Sequence, residues 1–309
     1  MAEEAWASAG FGEAERERAS VVLANIVLPT PETSRFTRET LGKAFEAWAL
    51  GRKAPPVDVP PPLFATAGAA RAAVERLGLG GGGFTLDAAC ASSLFAIHLA
   101  CLELEAGRVD AVLAGGLSLP DSLYTQVGFT QLRALSPSGR CLPFDRRADG
   151  LVVGEGGALF ALQRLEDAVA EGRTILGVIR GIGLSNDLGG SLLSPESEGQ
   201  LRAMRAAYEE AGWDPEEVDL VECHGTGTPR GDEVEVASLR TLFGGASCVI
   251  GSVKSNVGHL LTGAGAASLA KVLFALGEGV LPPTAGFSKE TASPALEGSG
   301  LEVLEAPRP

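Results

Sequence analysis

The strongest constraint on the fold is an alternation of apolar, strand-like runs with helix-like segments along the whole chain. The runs are apolar throughout rather than at every second position, which is typical of strands covered on both faces. The predicted strands are 21–26, 84–87, 109–114, 156–163, 175–184, 218–222 and 248–252. The predicted helices are 35–48, 67–77, 92–106, 165–170, 198–211, 233–243 and 260–276. This order predicts an α/β fold built on a largely parallel sheet.

The alternation begins again near residue 173, where a strand, a glycine turn, a helix and another strand follow one another. The two parts share this order of elements, although no repeat is visible in the amino-acid sequence itself. We therefore predict two halves of related architecture, 1–173 and 174–309.

The acidic composition excludes several classes of function. The 309 residues hold 25 Lys and Arg against 39 Asp and Glu, which gives a formal net charge of −14. Nucleic acids and anionic membrane surfaces repel such a chain. No uncharged stretch approaches the roughly 20 residues of a membrane-spanning helix, so we predict no membrane insertion. Glu3 and Glu4 stand where a signal peptide would be positively charged, which indicates a cytoplasmic protein.

The cysteines do not form the pattern of a disulfide framework or a zinc site. There are five of them, an odd number, and no two form a CxxC pair. Cys223, His224 and His259 are conceivable metal ligands, but no short ligand spacing and no neighbouring carboxylate support that interpretation. We predict reduced thiols and no bound metal.

Cys90 is the first residue whose placement predicts chemistry. A buried strand ends in small residues and turns into a helix that is predicted to begin at or next to Cys90. Backbone N–H groups and the positive end of a helix dipole favour a thiolate at such a position, so Cys90 is a candidate nucleophile. The alternative is a cysteine that packs as a small apolar side chain, and that interpretation is the better one for Cys101 and Cys248.

Two of the three histidines lie in glycine-rich loops that follow apolar strands. His224 precedes Gly-Thr-Gly-Thr, and His259 follows Lys254 by five residues. A histidine so placed can donate to a substrate carbonyl, and the lysine would tune its protonation. The alternative for His224 is a histidine that caps a structural turn. His98, within the predicted helix after Cys90, is expected only to pack.

Taken together, these segments resemble the β-ketoacyl synthases, the condensing enzymes of fatty-acid and polyketide assembly. The resemblance rests on Asp87-Ala-Ala-Cys90-Ala-Ser-Ser, His224-Gly-Thr-Gly-Thr and Lys254-Ser-Asn-Val-Gly-His259. Their order and their spacings of 134 and 35 residues between Cys90, His224 and His259 are similar to those of the family. Pro143-Phe-Asp-Arg and Gly150-Leu-Val-Val-Gly-Glu-Gly also match. The amino-acid sequence of these motifs most resembles ketosynthases of polyunsaturated-fatty-acid and iterative polyketide systems. The resemblance implies a thiolase-like αβαβα sandwich.

The resemblance implies a mechanism. Cys90 would take an acyl group from an acyl carrier protein, and malonyl on the same kind of carrier would lose CO₂. His224 and His259 would donate to the malonyl thioester carbonyl as negative charge develops there, and Lys254 would hold the charge pattern around His259. The resulting carbanion would attack the acyl group and release 3-oxoacyl carrier protein.

The resemblance also implies contacts with the carrier. Thr226 and Thr228 match positions that hydrogen-bond the phosphopantetheine arm, and Phe129 matches an aromatic side chain of the acyl pocket. Arg133 matches an arginine that docks the acidic carrier, with a solvated surface arginine as the alternative. No cofactor is bound permanently, because substrates arrive on the 4'-phosphopantetheine of the carrier. The family implies a homodimer, or a pair with a partner synthase.

Three departures from the family pattern leave a second function open. Both ends look short, with the final strands of the second half lacking, and Ser268 stands where relatives carry an acidic residue. No Gly-Phe-Gly loop is present, which in the family supplies a second oxyanion-hole N–H. Loss of one such donor typically slows a reaction by about a hundred- to a thousand-fold. The alternative is therefore a truncated pseudoenzyme that binds a carrier protein or a partner ketosynthase without turnover.

Overall fold

A computed structural model describes residues 1–26, 31–56, 68–119, 123–189 and 195–309. Seven strands form two sheets in this part of the chain. The strands are β1 Ala19–Ala24, β2 Gly83–Leu86, β3 Ala111–Ser118, β4 Gly156–Leu162, β5 Leu220–Glu222, β6 Cys248–Gly251 and β7 Leu301–Val303. The first sheet has the order β2-β1-β3-β4 and the second the order β5-β6-β7. All pairs are parallel except β3–β4, so the predicted α/β fold with a largely parallel sheet is confirmed.

Helices connect and cover these strands. The helices are α1 Ala2–Ser8, α2 Glu13–Arg16, α3 Pro31–Thr37, α4 Lys43–Ala49, α5 Gly68–Leu77, α6 Ser92–Glu105, α7 Leu123–Gln131, α8 Leu165–Ala170, α9 Ser197–Ala211, α10 Pro229–Phe243, α11 Lys254–Val257 and α12 Ala264–Glu278. A π-helical stretch, Arg38–Gly42, joins α3 to α4. The predicted helix 67–77 corresponds to α5, and its first residue, 67, lies outside the described residues. None of the described helices is long and apolar enough to cross a membrane.

The alternation of side chains along β1 explains why both faces of the first sheet are covered. Val21 and Leu23 point to one face, where they join a buried cluster with Trp6 of α1 and Leu77 of α5. The intervening Val22 and Ala24 point to the other face and pack with α6. All six residues of β1 are buried, which is why this strand reads as an uninterrupted apolar run.

The contact between α6 and α12 positions the candidate site. α12 packs against α6 and also contacts β3, β4 and β5, so it lies against strands of both sheets. Ser93 near the start of α6 accepts a hydrogen bond on its Oγ from the backbone N–H of Ala266, near the start of α12, at 2.9 Å. The amino-terminal ends of the two helices therefore meet, and the loops that precede them meet as well.

One predicted strand is wrong. Residues 175–184 form no ladder with any other described residue, and Leu176 and Val178 are exposed. The segment instead packs beside helices: a side chain at Gly177 would contact α12, and one at Gly183 would collide with the backbone of α9. Its apolar composition is that of a strand, but it pairs with none of the described edge strands.

Candidate active site

The loop that carries Cys90 is held by its own polar neighbours. Cys90 lies between the end of β2 at Leu86 and the start of α6 at Ser92, two residues before the helix rather than at its first residue. The preceding Ala89 has a left-handed backbone with φ of +52°. Its N–H donates to Asp87 Oδ1 at 2.9 Å, and its carbonyl accepts from Ser92 Oγ at 2.6 Å. These bonds offset the strain of the left-handed residue and fix the sharp turn that presents the sulfur.

The loop that carries His259 is anchored to the first half of the chain. The His259 N–H donates to the carbonyl of Val152 at 2.7 Å, and the His259 carbonyl accepts from the N–H of Gly154 at 3.0 Å. Gly258 precedes it with φ of +74°, and a Cβ there would lie 2.9 Å from the Val152 oxygen. Only glycine therefore fits the approach that brings His259 to its buried position.

The two loops place a nitrogen of His259 against the sulfur of Cys90. Nε2 lies 3.0 Å from Sγ, while Nδ1 accepts a hydrogen bond from the backbone N–H of Leu261 at 3.2 Å. A neutral imidazole has one donor nitrogen and one acceptor nitrogen, so this bond assigns the proton to Nε2. Burial lowers the pKa of His259 to about 3, helped by His224 and the charge of Lys254. His259 is therefore a neutral hydrogen-bond donor that points at Cys90.

His224 stands next to His259. The two rings are perpendicular, with centroids 5.3 Å apart. The backbone N–H groups of His224 and Gly225 donate to the two carboxylate oxygens of Glu235 at 2.6 and 2.8 Å, which fixes the loop. His224 keeps an exposed edge. Burial of its ring by the surrounding protein is nevertheless the main cause that lowers its pKa to about 3, and the charge of Lys254 acts in the same direction. Both imidazoles are thus neutral at physiological pH.

Lys254 is buried at the centre of this charge arrangement. Burial lowers the pKa of Lys254, and the carboxylates of Glu222 and Glu235 oppose that shift. Burial also raises the pKa of Cys90, with the charge of Lys254 acting in the opposite direction. The expectation of a thiolate favoured by a helix start is therefore corrected, because desolvation outweighs the nearby cation and the helix begins two residues later.

Three carboxylates that the sequence motifs did not predict support the histidine loops, and of these Asp232 is buried while Glu222 and Glu235 are half-buried. Glu222 forms an ion pair with Lys271 of α12 at 2.7 Å and accepts from the Val253 N–H at 2.6 Å. Ser268 approaches the same carboxylate at 3.4 Å. Glu235 holds the His224 loop as described above, and Asp232 is the third. The available signal was their spacing, since Asp232 and Glu235 lie three residues apart on α10 and therefore share a face.

Asp232 joins the threonine loop to the segment around Phe144. Its carboxylate accepts from the N–H of Phe144 at 3.0 Å and from the N–H of Gly227 at 3.3 Å. Burial raises its pKa to about 7, although these backbone donors oppose the shift. The Oγ1 atoms of Thr226 and Thr228 lie 2.9 Å apart in the same loop, with Thr226 buried. The two threonines therefore belong to the neighbourhood of His224.

The other predicted residues are not joined to this group by any described contact. Phe129 is half-buried on α7, and Arg133 is exposed two residues after the end of that helix, with φ of +54°. Their predicted roles stay predictions. His98 is half-buried on α6 and does not contact the site in the described part of the chain. Among those residues, no group of three or more His, Cys, Asp or Glu side chains is arranged to hold a metal ion.

Comparison with known proteins gives the family. Residues 1–168 match the family model "Beta-ketoacyl synthase, N-terminal domain", and residues 176–288 match "Beta-ketoacyl synthase, C-terminal domain". The chain therefore belongs to the beta-ketoacyl synthase family, as the motifs around Cys90, His224 and His259 predicted. Members of this family are condensing enzymes of the acyltransferase type.

The relatives are much longer polyketide synthases. Polyketide synthase ThaG of Burkholderia thailandensis is 40% identical over 261 residues, which is 80% of this chain and 5% of that protein. A mycocerosic acid synthase-like polyketide synthase of Mycolicibacterium smegmatis is 41% identical over 75% of this chain and 11% of its own length. The chain thus spans a small part of these curated relatives.

Solved structures confirm the thiolase-like fold. The ketosynthase from module 6 of the bacillaene synthase of Bacillus subtilis superposes with a TM-score of 0.83 at 31% identity, covering 100% of this chain and 52% of that one. The PfaC ketosynthase–chain length factor superposes with a TM-score of 0.82 at 33% identity, covering 99% of this chain and 35% of that one. The chain therefore corresponds to about half of a solved ketosynthase chain.

Proposed function

We propose that this chain catalyses the decarboxylative Claisen condensation of an acyl group held on Cys90 with a malonyl group delivered by acyl carrier protein. The observation that carries the proposal is the hydrogen bond between His259 Nε2 and Cys90 Sγ at 3.0 Å, with the proton on Nε2. A donor in this position serves the oxygen of a thioester bound next to the sulfur. No observation favours the non-catalytic alternative, since the three side chains of the proposed mechanism lie together.

The first half-reaction is an exchange of thioesters. Cys90 Sγ bonds to the acyl carbon, the bond from that carbon to the carrier sulfur breaks, and the proton of Cys90 ends on the released carrier thiol. His259 is protonated on the nitrogen that faces the sulfur, so it acts as a donor and not as the base. Because burial raises the pKa of Cys90, the proton leaves as the new bond forms rather than beforehand.

The second half-reaction builds the carbon–carbon bond. Malonyl carrier protein loses CO₂, and the electrons of the broken bond become an enolate whose oxygen accepts from His224 and His259. The enolate carbon attacks the acyl carbon on Cys90, and the carbon–sulfur bond breaks with its electron pair on Sγ. 3-Oxoacyl carrier protein leaves, and the Cys90 thiolate takes a proton from water. Neutral imidazoles suit this step, because a neutral donor stabilises the enolate without protonating it outright.

The proposal also covers how the substrate is held, the partners of the chain and its place in the cell. We assign the phosphopantetheine arm to Thr226 and Thr228, whose hydroxyls lie 2.9 Å apart beside His224. Phe129 belongs to the acyl pocket in this proposal, and the chain carries no permanent cofactor. It acts in the cytoplasm as a homodimer or with a partner synthase.

A single-turnover experiment tests the proposal. The protein is first acylated with an acyl N-acetylcysteamine thioester and then mixed with a malonyl thioester, and mass spectrometry follows acyl-Cys90 and the 3-oxoacyl product. We expect His224→Ala and His259→Ala to acylate but to lose CO₂ release by about a hundredfold or more. The control is His98→Ala, on α6, the helix that follows Cys90. This variant should keep full turnover. Acyl-Cys90 that never releases product in the unmodified protein would contradict the proposal.

A further inference from the structure

A second lysine lies beneath the candidate site and forms an ion pair there. Nζ of Lys271, on α12, lies 2.7 Å from Oε2 of Glu222, at the end of β5. The side chain of Glu222 is 4% exposed and that of Lys271 is 11% exposed, so water scarcely reaches the pair. Burial of two charges costs free energy of desolvation that an apolar pair of similar size would not cost. The proposed reaction uses neither residue.

The neighbouring strand leaves room for the ammonium group. Gly251 of β6 is the ladder partner of Glu222. A Cβ at Gly251 would lie 3.1 Å from Nζ of Lys271 and 2.9 Å from Oγ1 of the buried Thr284. A side chain at this position would therefore crowd the ammonium group. Glycine leaves the space in which the lysine reaches its carboxylate, so the ion pair is built into the sheet.

The carboxylate of Glu222 lies beside the residue of α12 at which the family pattern places an acid. That residue is Ser268, and its Oγ approaches Oε1 of Glu222 at 3.4 Å. Ser268 and Lys271 are three residues apart and share a face of the helix. A negative charge is therefore present next to residue 268, but it comes from β5 and not from α12.

Two carboxylates act on Lys254, and both are occupied by other donors. Glu222 accepts from the N–H of Val253 at 2.6 Å as well as from Lys271. The two oxygens of Glu235 accept from backbone N–H groups of the His224 loop. Lys254 is 2% exposed, and the described residues form no hydrogen bond or ion pair with its Nζ. No carboxylate therefore holds the charge of Lys254 in a direct pair.

Several elements contribute titratable groups around this free lysine. They are Glu222 of β5, Glu235 of α10, the thiols of Cys90 and Cys141, and the imidazoles of His224 and His259. At Cys90 the charge of Lys254 favours the thiolate, and the charge of Asp87 opposes it. Without Lys271, the charge of Glu222 would have no partner and would attract the ammonium group of Lys254.

We infer that Glu222 takes the place of the acidic residue of α12, and that Lys271 keeps it from pairing with Lys254. The charge of Lys254 is then left to act on Cys90. Glu222 and Lys271 are positioning residues, because neither contacts Cys90 or a histidine in the described structure. The inference rests on the proposed function for the role of Cys90, and it adds the pair that keeps the thiol reactive.

The test follows alkylation of Cys90 by iodoacetamide as a function of pH, with mass spectrometry of the modified peptide. Lys271→Met removes the ammonium group, and Lys271→Met/Glu222→Gln removes both charges while keeping a hydrogen-bond acceptor at residue 222. Lys289→Met and Lys289→Met/Glu302→Gln make the same changes at a more exposed ion pair and are the controls. We expect Lys271→Met to raise the midpoint by about one pH unit, which is about a tenfold loss of rate at pH 7. The double variant should recover most of that loss, and the controls should match the unmodified protein.

The double variant separates this role from a purely structural one. If it is as slow as Lys271→Met, the lysine acts only through packing, and the inference is wrong. An unchanged profile in Lys271→Met would overturn it as well. Should Lys271→Met fail to fold, Glu222→Gln decides: the inference predicts no rise of the midpoint, and a rise would contradict it. These profiles need neither a carrier nor a malonyl thioester, so absence of CO₂ release in the unmodified protein would contradict the proposed function alone.

Discussion

At the scale of single residues, the chemistry depends on which groups carry charge. Cys90, His224 and His259 are all neutral at rest, because burial raises the pKa of the thiol and lowers the pKa of both imidazoles. Lys254 is the cation that acts on all three, and it shifts each pKa downward. This makes Lys254 the residue that sets how readily Cys90 loses its proton without giving either histidine a charge.

Removal of the Lys254 charge should therefore slow the reaction of Cys90 with electrophiles at neutral pH. In Lys254→Met the pKa of Cys90 rises further, so the rate of alkylation by iodoacetamide should reach its plateau at a higher pH than in the unmodified protein. Lys289→Met, which removes an exposed lysine, is the control. Identical pH profiles for Lys254→Met and the unmodified protein would show that the charge does not act on the sulfur.

Asp232 should make stability fall with rising pH. Its pKa is about 7 in the folded protein against 3.8 for an ordinary carboxyl, so between these values the folded state binds more protons than the unfolded state. Between pH 5 and pH 7 this lowers the free energy of unfolding by about 2 kcal/mol. Urea titrations at both pH values should show that extra decrease in the unmodified protein relative to Asp232→Asn. An equal pH dependence in the two proteins would mean that Asp232 is ionised when folded.

At the scale of elements, the site depends on how α6 and α12 meet. The first N–H groups of a helix have no partner within the helix, and Ala266 of α12 donates its own to Ser93 Oγ of α6. A side chain at Gly265 would lie 3.0 Å from the same oxygen, so the two helices approach closely at this point. The contact holds the Cys90 loop and the His259 loop at one distance from each other.

Ser93→Ala should weaken this junction. The buried N–H of Ala266 would lose its acceptor, which costs about 1–3 kcal/mol of unfolding free energy. The distance between Cys90 and His259 should also loosen, so the rate of CO₂ release should fall together with stability. Ser138→Ala, at an exposed serine, is the control for the urea titration. A Ser93→Ala protein as stable as the control would show that the helices are held by apolar packing alone.

The sequence predicts best the elements in which an apolar pattern continues over most of the length of the element. α6 and the strand β1 follow the predicted 92–106 and 21–26 within a few residues, because each buries a continuous apolar face. α9 also follows the predicted 198–211, although Gly199 is its only buried residue. α7 and β7 are missed, since the first is exposed over most of its length and the second has only three residues. The strand predicted over 175–184 is wrong for the opposite reason, since its composition favours a strand but it pairs with no described strand.

At the scale of the whole molecule, the site joins residues that are far apart in the sequence. Cys90 comes from the first half and His224 and His259 from the second, and the bonds between Val152, Gly154 and His259 cross between them. The motifs single out Cys90, His224 and His259, which the structure brings together, whereas their geometry depends on contacts between residues far apart in sequence. The buried carboxylates could not be predicted in the same way, because only folding reveals which acidic side chains lose contact with water.

Hydrogen exchange should reveal the unpaired segment of the second half. Amides 175–181 make no backbone–backbone hydrogen bond to another described residue, so they should exchange within seconds to minutes, while Ile182, whose N–H donates to Glu210, is slower. The amides of β3 between Val112 and Leu117 are the internal control and should stay protected. Protection of 175–181 at the level of β3 would show that this segment has acquired a strand partner in solution.

The proposed function requires that Cys90 is the reactive nucleophile of an assembled site. The most direct test is to treat the protein with an epoxide inhibitor that mimics an acyl chain, of the cerulenin type, and to locate the adduct by mass spectrometry with Cys90→Ala as control. We expect one adduct, on Cys90, and none in the control, because the other four cysteines lack a histidine donor against their sulfur in the described structure. Equal labelling of all five cysteines, or none, would contradict it.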